Sequence, residues 1–530
     1  MLRERDSTAG PQGCSHCLSI QKQGRKSDCS NYLGITLLSI AGKILARVLL
    51  NRLIPTIAQE NTPESQCGFR SNGRTVDMIF VLRQIQEKYR EQNIGLYAVF
   101  VDLTTAFDTV SRDGLWKILA RLGYSHKFLT TLRQLYKGQQ GQVKHNGSLS
   151  GSFPISNGVE QGCFLAPTLF SIFSSIMLRE AKGDLPDSIY ILVRTDSSLF
   201  NLRHLVARTK TIKELITELL FADCALLAHT EEALQHIVNR FSDSAKNFGL
   251  TISLKKTEVL YQPPPREAYS PPHISIDGTN LNAVEYFTYN GSVISNDATV
   301  SKDLDNRLSK ASSSFGRLSK RVWQSHSLRL STKLQVYRTV VVTTLLYGEE
   351  TWKQVRLLER FHQRCLRSIL GIKWEDHVSN EEVLKRASLP SIESILLQVQ
   401  LRWAGHVTRM EDVRMPKAFF LSELQEGKRD RVAPRKRYRD QLKRQLAQAG
   451  ISHQSWQQEA SNRVRRRSSV RKTSCEFEAE RHKAAKEKHR RQKDRAASLP
   501  PSSQTFVRQE CSRGCASRIG LYSHQRACKN

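Results

Sequence analysis

Apolar and polar positions along this chain repeat with two different periods. Residues 96–110, LYAVFVDLTTAFDTV, open as a strand from Tyr97 to Asp102 that is apolar on both faces. Tyr97, Val99 and Val101 lie on one face, Ala98 and Phe100 on the other. Such a run predicts a strand buried in the middle of a sheet, with Asp102 where the sheet stops. Residues 218–229, ELLFADCALLAH, read as two apolar strands around a short break, a hairpin with Asp223 at its tip. The other period is helical. Ile44, Leu45, Val48, Leu49 and Leu53 predict a core-facing stripe. Ser111 reads as the N-cap of a helix that carries Leu115, Ile118, Leu119 and Leu122. A glycine-punctuated loop over 158–163 leads through Pro167 into an apolar helix. Residues 183–217 read as strand and loop without chemistry of their own. Thr230 caps a helix with Glu231 and Glu232 in its first turn and a stripe of Leu234, Ile237, Val238, Phe241, Ala245 and Phe248. Residues 293–450 are predicted to be mostly helical. One stripe there is Leu304, Leu308, Ala311, Phe315 and Leu318, with Lys302, Arg307, Lys310, Arg317 and Lys320 interleaved; another is Leu357, Leu358, Phe361, Cys365, Ile369 and Leu370.

Charge changes the picture more than length does. The 530 residues carry a net charge of +31, so a polyanion is the expected partner. Eleven cysteines at irregular spacing, and a first segment MLRERDSTAG without an apolar core, predict a reduced intracellular compartment, nuclear and cytoplasmic. Residues 35–57 are the most apolar early stretch, but Lys43, Arg47 and Arg52 make them too charged to span a bilayer, so no membrane is expected. Residues 1–30 are polar and predicted to be disordered; Cys14, Cys17 and Cys29 lack a fourth ligand at metal-site spacing. Between 463 and 495 fourteen Lys or Arg face five Asp or Glu, which predicts disorder or a lone helix that binds RNA or serves as a nuclear address. The last segment, Cys511-x3-Cys515-x8-His524-x3-Cys528, sets three thiols and one imidazole at spacings that suit tetrahedral zinc. Zinc would supply folding energy that so short a segment cannot draw from a core. Asp102 and Asp223 have two readings by pattern alone: ordinary turn chemistry, or hard oxygen ligands for divalent cations on adjoining strands.

The order of the stretches decides between them. Asp102 followed by Ala106-Phe107-Asp108, then Gln161-Gly162-Cys163 with Ala166-Pro167-Thr168-Leu169-Phe170, then Phe221-Ala222-Asp223, closely resembles the reverse transcriptase of LINE-type (non-LTR) retrotransposons. The resemblance runs from about Asn31 to the C-terminus. It implies an α+β polymerase right hand: a disordered remnant at 1–30, fingers at 31–95, palm at 96–292, thumb at 293–370, a helical region at 371–450, a basic linker at 451–505 and a zinc-knuckle-like tail at 506–530. The family carries further sequence before this point, often a nuclease, which makes an N-terminally truncated copy the expectation. The implied activity is RNA-directed DNA polymerisation, with an RNA template, a DNA primer or target and deoxynucleoside triphosphates as partners. Asp102 and Asp223 would hold Mg2+ or Mn2+. Gln66-Cys67-Gly68-Phe69-Arg70 with Arg74 matches the fingers motif whose arginines approach the triphosphate; solvated loop arginines are the alternative. Phe107 matches the aromatic ring that excludes a 2′-hydroxyl. Gln161 and Gly162 support nucleotide and template. Lys256, in Lys255-Lys256-Thr257-Glu258, matches a lysine that would serve the leaving pyrophosphate. Phe287 to Ser292 resembles the primer-grip hairpin, and 401–406 and 435–438 match sequences downstream of the thumb. One departure stands out. The family motif ends Asp-Asp, and here the second position is Cys224, a poor Mg2+ ligand. The resemblance therefore leaves two readings, an impaired polymerase and an inactive nucleic-acid-binding remnant.

Overall fold

The computed structural model describes residues 15–20, 32–37, 40–53, 73–142, 144–145, 148–159, 162–182, 189–194, 199, 211–216, 218–220, 224–348, 356–425, 437–498, 506–507, 514–515 and 518–527. Strand β1 (Ser15–Ile20) pairs antiparallel with β2 (Tyr32–Leu37), and helices α1 (Ile40–Leu53) and α2 (Thr75–Gln92) follow. Next come β3 (Leu96–Val101), α3 (Arg112–Arg121), α4 (His126–Tyr136) and α5 (Ala166–Lys182). Strands β4 (Ile189–Arg194), β5 (Thr211–Ile216), β6 (Glu218–Leu220) and β7 (Cys224–Ala228) lead to α6 (Glu231–Asn247), β8 (Glu258–Gln262) and β9 (Asn282–Val284). The hairpin β10 (Tyr286–Tyr289) and β11 (Ser292–Ser295) then opens a helical half. Its main elements are α7 (Ser301–Arg317), α8 (Arg356–Leu370), α9 (Asn380–Ala387), α10 (Ile392–Thr408), α11 (Met415–Leu421), a short β12 (Glu423–Leu424) on β4, α12 (Tyr438–Gln448), α13 (Trp456–Ser461) and α14 (Arg463–Ser498). β13 (Phe506–Val507), β14 (Gly514–Cys515) and α15 (Arg518–Ala527) close the chain's described part. The class is α+β.

The sheet that matters runs β6-β7-β3-β8-β9, with β3 in its centre and antiparallel to both neighbours. The two-residue period of β3 explains why it is central. Val99 and Val101 share one face with Cys224, Leu226 and Val259, packed on α3, α5 and α6. Leu96, Ala98 and Phe100 share the other with Ala225, Leu227 and Leu260, under α2 and α11. Phe100 stacks on Phe287 with ring centroids 4.1 Å apart. A strand covered on both faces has no solvated side, so each apolar side chain contributes roughly 1.5–3 kcal/mol of burial. Asp102, the next residue, is the first that leaves this environment.

Three expectations need correction. In α1 the buried face is Gly42, Ala46, Leu49, Leu50 and Leu53, whereas Ile44 is 62% and Val48 44% exposed and Leu45 faces out as well. Large side chains dominated the apparent stripe, but small Gly42 and Ala46 let the helix approach the core closely. Residues 15–20, within the stretch predicted to be disordered, form β1. The basic run 463–495 is neither disordered nor lone. It lies in α14, whose first half packs on α10 through Val470, Thr473 and Ser474, with Ser394 and Ser474 hydroxyl oxygens 2.8 Å apart. Small hydroxyl side chains at a helical period make a contact face that hydropathy does not reveal.

One buried charge cluster sets the helical half against the sheet. Asp303 of α7 is fully buried and accepts from Arg83 of α2 at 2.8 Å, from the Ser292 hydroxyl at 2.8 Å and from the Val293 amide at 2.9 Å. Arg307, one of the basic residues interleaved with the stripe of α7, is buried, 3.6 Å from Asp303, and donates to the Gly291 carbonyl. Arg437 is likewise used internally, paired with Glu91 and Asp440.

Candidate active site

Asp102 takes its position from backbone on both sides. Its amide donates to the Thr257 hydroxyl at 3.2 Å, and its carbonyl accepts from the Ser253 amide at 2.8 Å. The Thr104 amide donates to the Thr251 carbonyl at 2.8 Å, and Leu103 bridges Ile252. Residues 251–257 thus form a strap alongside the end of β3. Within it a tight turn, closed by the amides of Lys256 and Thr257 on the Ser253 carbonyl, holds Lys256 beside the carboxylate. Lys256 Nζ lies 3.7 Å from Asp102 Oδ2, and both side chains are open to solvent. The half-exposed carboxylate is a hard oxygen donor of the kind Mg2+ takes, with the solvent-exposed Lys256 ammonium as its neighbour.

The next segment, 104–110, is a turn with Thr105 at φ 43°, closed by the Asp108 and Thr109 amides on the Thr105 carbonyl. Phe107 leaves this turn half-buried against Phe170 of α5, ring centroids 4.9 Å apart. The glycine loop docks onto the same turn. The Gly158 amide donates to the Val110 carbonyl at 2.9 Å and the Val159 amide to the Phe107 carbonyl at 2.7 Å. Gly158 has φ +84°, and a Cβ there would sit 2.6 Å from the Asp108 carbonyl oxygen, so only glycine permits the approach. Arg112 pins the loop from below. Its guanidinium donates to the carbonyls of Gly158, Tyr136 and Ile155 and to Gln139. Sequence reading missed both Arg112 and Thr257. Neither carries a local signal, because each acts through backbone groups distant in the chain.

Asp102 and Lys256 are therefore brought together, as are Phe107, Gly158 and Val159 on the turn that follows Asp102; Gly162 lies exposed at φ 111°. Arg74 is the exposed N-cap of α2 and is one of the charges that push the His406 pKa down. Cys224 is the first residue of β7 and pairs with Val101, the last residue of β3, so the two strands end side by side. Its side chain is 7% exposed and belongs to the apolar face with Val99 and Leu226. Asp223, Arg70 and Gln161 lie outside the described residues, as do Cys511 and Cys528 of the tail. Cys515 lies on β14 and His524 on α15. Among the described residues no group of three or more His, Cys, Asp or Glu is placed to hold a metal ion, and no helix is long and apolar enough to cross a membrane.

Comparison with known proteins places this arrangement. The family described as "Reverse transcriptase (RNA-dependent DNA polymerase)" matches residues 20–291, just over half of the chain. The "RNA-directed DNA polymerase from mobile element jockey" of Drosophila melanogaster is 24% identical over 402 residues, covering 73% of this chain and 40% of that protein. The "Probable RNA-directed DNA polymerase from transposon X-element" of the same organism is 24% identical over 367 residues, covering 67% and 37%. The chain thus spans about two fifths of the length of these relatives. Among solved structures, apo telomerase from Candida tropicalis aligns over 80% of this chain and 70% of that one, at 11% identity and a TM-score of 0.36. With the family's match spanning the central sheet, the Asp102 turn and the start of the glycine loop, the chain belongs to the reverse transcriptase family.

Proposed function

We propose that this chain carries the polymerase core of a LINE-type element and extends a DNA primer along an RNA template. The observation that supports it most directly is Asp102, held at the end of the central strand with Lys256 3.7 Å away. In the reaction the primer 3′-oxygen attacks the α-phosphorus of a deoxynucleoside triphosphate. A P–O bond forms, the bond to pyrophosphate breaks, and the hydroxyl proton is lost. Asp102 with Asp223 would hold the divalent ions, which lower the pKa of the attacking hydroxyl and offset charge on the triphosphate. Lys256 meets charge that develops on the pyrophosphate. Phe107, fixed against Phe170, forms the floor on which a deoxyribose rests, and the glycine loop with Gly162 and Gln161 lets backbone come close to nucleotide and template. Arg70 and Arg74 face the triphosphate from the fingers.

The finer architecture follows the same reading: fingers at 31–95, palm at 96–292, thumb at 293–370, and a tail whose Cys511, Cys515, His524 and Cys528 hold one zinc ion. A thiol on β14 and an imidazole on α15 are donors of the right softness, and metal analysis of the purified chain checks the one-zinc stoichiometry. The template, primer and nucleotide are the partners.

Primer extension on an RNA template tests the function. Asp102→Ala should abolish it in Mg2+. Cys224→Asp, which restores a carboxylate at the head of β7, should raise extension by roughly 10²–10³, the scale of one charge-stabilising group in an active site. Extension by neither the original chain nor Cys224→Asp would leave a nucleic-acid-binding remnant as the surviving reading.

A further inference from the structure

Helices α10 and α14 pack antiparallel. Ser394 meets Ser474 near one end, Gly405 faces Arg466 further along, and Arg409 donates to the Ala460 carbonyl at 2.5 Å at the other end. This register sets Arg402 of α10 opposite the turn from Arg467 to Arg471 of α14. Arg338, from the helical segment Tyr337–Val342, completes the group. All four are exposed, and among the described residues none makes an ion pair. The Arg402 guanidinium is pushed below its ordinary pKa by partial burial and then by Arg467, Arg471 and Arg338. The same field extends along α10. His406, one turn on, is pushed down to about 4 by burial, then by Arg74, Arg409, Arg463 and Arg414. Arg414 has Asp77 for a partner.

A second, separate feature lies beneath this seam. Arg466 is 3% exposed and folded over Gly405, and among the described residues its three guanidinium nitrogens have no hydrogen-bond partner. A buried guanidinium without hydrogen bonds is costly even with Glu459 as a nearby opposite charge, and like charges drawn from three distant parts of the chain repel. Both costs fall if an extended anion lies along the seam. Planar guanidinium groups match phosphate oxygens in geometry and hydration. The arginines follow the helix pair for several turns rather than converging on one point, so a chain of phosphates fits them better than a single small anion.

We propose that the α10–α14 seam is a track for the phosphate backbone of single-stranded RNA, outside the catalytic cleft. RNA is chosen because the polymerase reading supplies a template far longer than the cleft holds, and in that respect the inference rests on that reading. Arg402, Arg467 and Arg471 act here as positioning residues.

The test uses the full chain and an unstructured 40-nucleotide RNA, with affinity measured across a salt series. Arg402→Gln, Arg467→Gln and Arg471→Gln together should weaken RNA binding about tenfold or more at low salt, and should reduce the slope of log affinity against log salt by about 2, the counterion release expected of three single-strand contacts. Extension of a short primer–template that fills only the cleft should be unchanged. Arg356→Gln, Arg360→Gln and Arg364→Gln on α8 remove the same charge elsewhere and should change affinity less than threefold. Equal losses in the two triple variants would reduce the effect to net charge and overturn the track. An unchanged salt slope in the seam variant would overturn it as well. Loss of binding to single-stranded DNA with RNA binding intact would overturn the choice of RNA. Melting temperature separates binding loss from misfolding, and single substitutions replace the triple variant if it unfolds. A chain that shows no extension yet loses RNA affinity on the seam substitutions would sink the polymerase reading and leave the track standing.

Discussion

Lys256 and Asp102 are close enough to attract, yet both stand in solvent, and that combination separates a structural from a chemical role. An exposed ion pair contributes at most about 1 kcal/mol. Lys256→Ala should therefore leave the melting temperature almost unmoved while it lowers the rate of primer extension by roughly 10²-fold, the scale of a lost acid or charge-stabilising group. Lys256→Arg should recover part of the rate, since it keeps the charge without the readily donated proton. A stability loss that matched the activity loss would assign the lysine to the fold instead. Cys224 illustrates the opposite case. Its side chain sits in the apolar layer with Val99 and Leu226, so Cys224→Asp should destabilise the chain by on the order of 1–3 kcal/mol even where it improves catalysis. The thiol suits this layer, because cysteine behaves as a small hydrophobe.

Between elements, the buried Asp303 cluster binds α2, the β10–β11 hairpin and α7 into one unit. That unit fixes the hairpin which resembles a primer grip against the sheet that carries Asp102. Removing one member of a buried ion pair leaves the others uncompensated, at a cost of about 3–5 kcal/mol. Asp303→Ala should lower stability by that amount in denaturant unfolding, and should weaken primer binding before it affects anything at Asp102. Arg83→Met, which removes a charge but keeps volume, should cost less, because Arg307 remains beside Asp303. A neutral result for Asp303→Ala would mean that the hairpin's position rests on apolar packing of Phe287, Tyr289 and Ile294.

At the scale of the whole molecule, positive charge from distant parts of the chain gathers where α10 and α14 meet. This has a consequence for pH. His406 titrates near 6.5 when unfolded and about 4 when folded. Between those values the unfolded chain binds the extra proton, so its contribution to folding is intact above pH 6.5 and is lost progressively as pH falls toward 4. Melting temperature should decline across that window. His406→Gln should flatten the decline, and RNA bound along the seam should do the same, since phosphates raise the histidine's affinity for its proton. An identical profile with and without His406 would assign the acid sensitivity to other groups.

How much of this was legible without coordinates follows from the range of the forces involved. The central strand, its terminal aspartate, the capped helices at Ser111 and Thr230 and the glycine loop are set by side-chain period, capping chemistry and the need for φ > 0, all of which act within a few residues. Family order did the rest for Asp102, Phe107 and Lys256. Tertiary structure alone decided which face of α1 is buried, that Arg307 and Arg437 serve the interior, and that Arg112 and Thr257 hold the site's backbone. It also decided that a basic run reading as disordered or a lone helix packs on α10, because its contact face is built largely from serine, threonine and an arginine stem, with Val470 and Phe477, and partners such as Ser394 lie about 80 residues away. Small and polar side chains carry no hydropathy signal, and their burial is favourable only once a matching surface from elsewhere in the chain meets them.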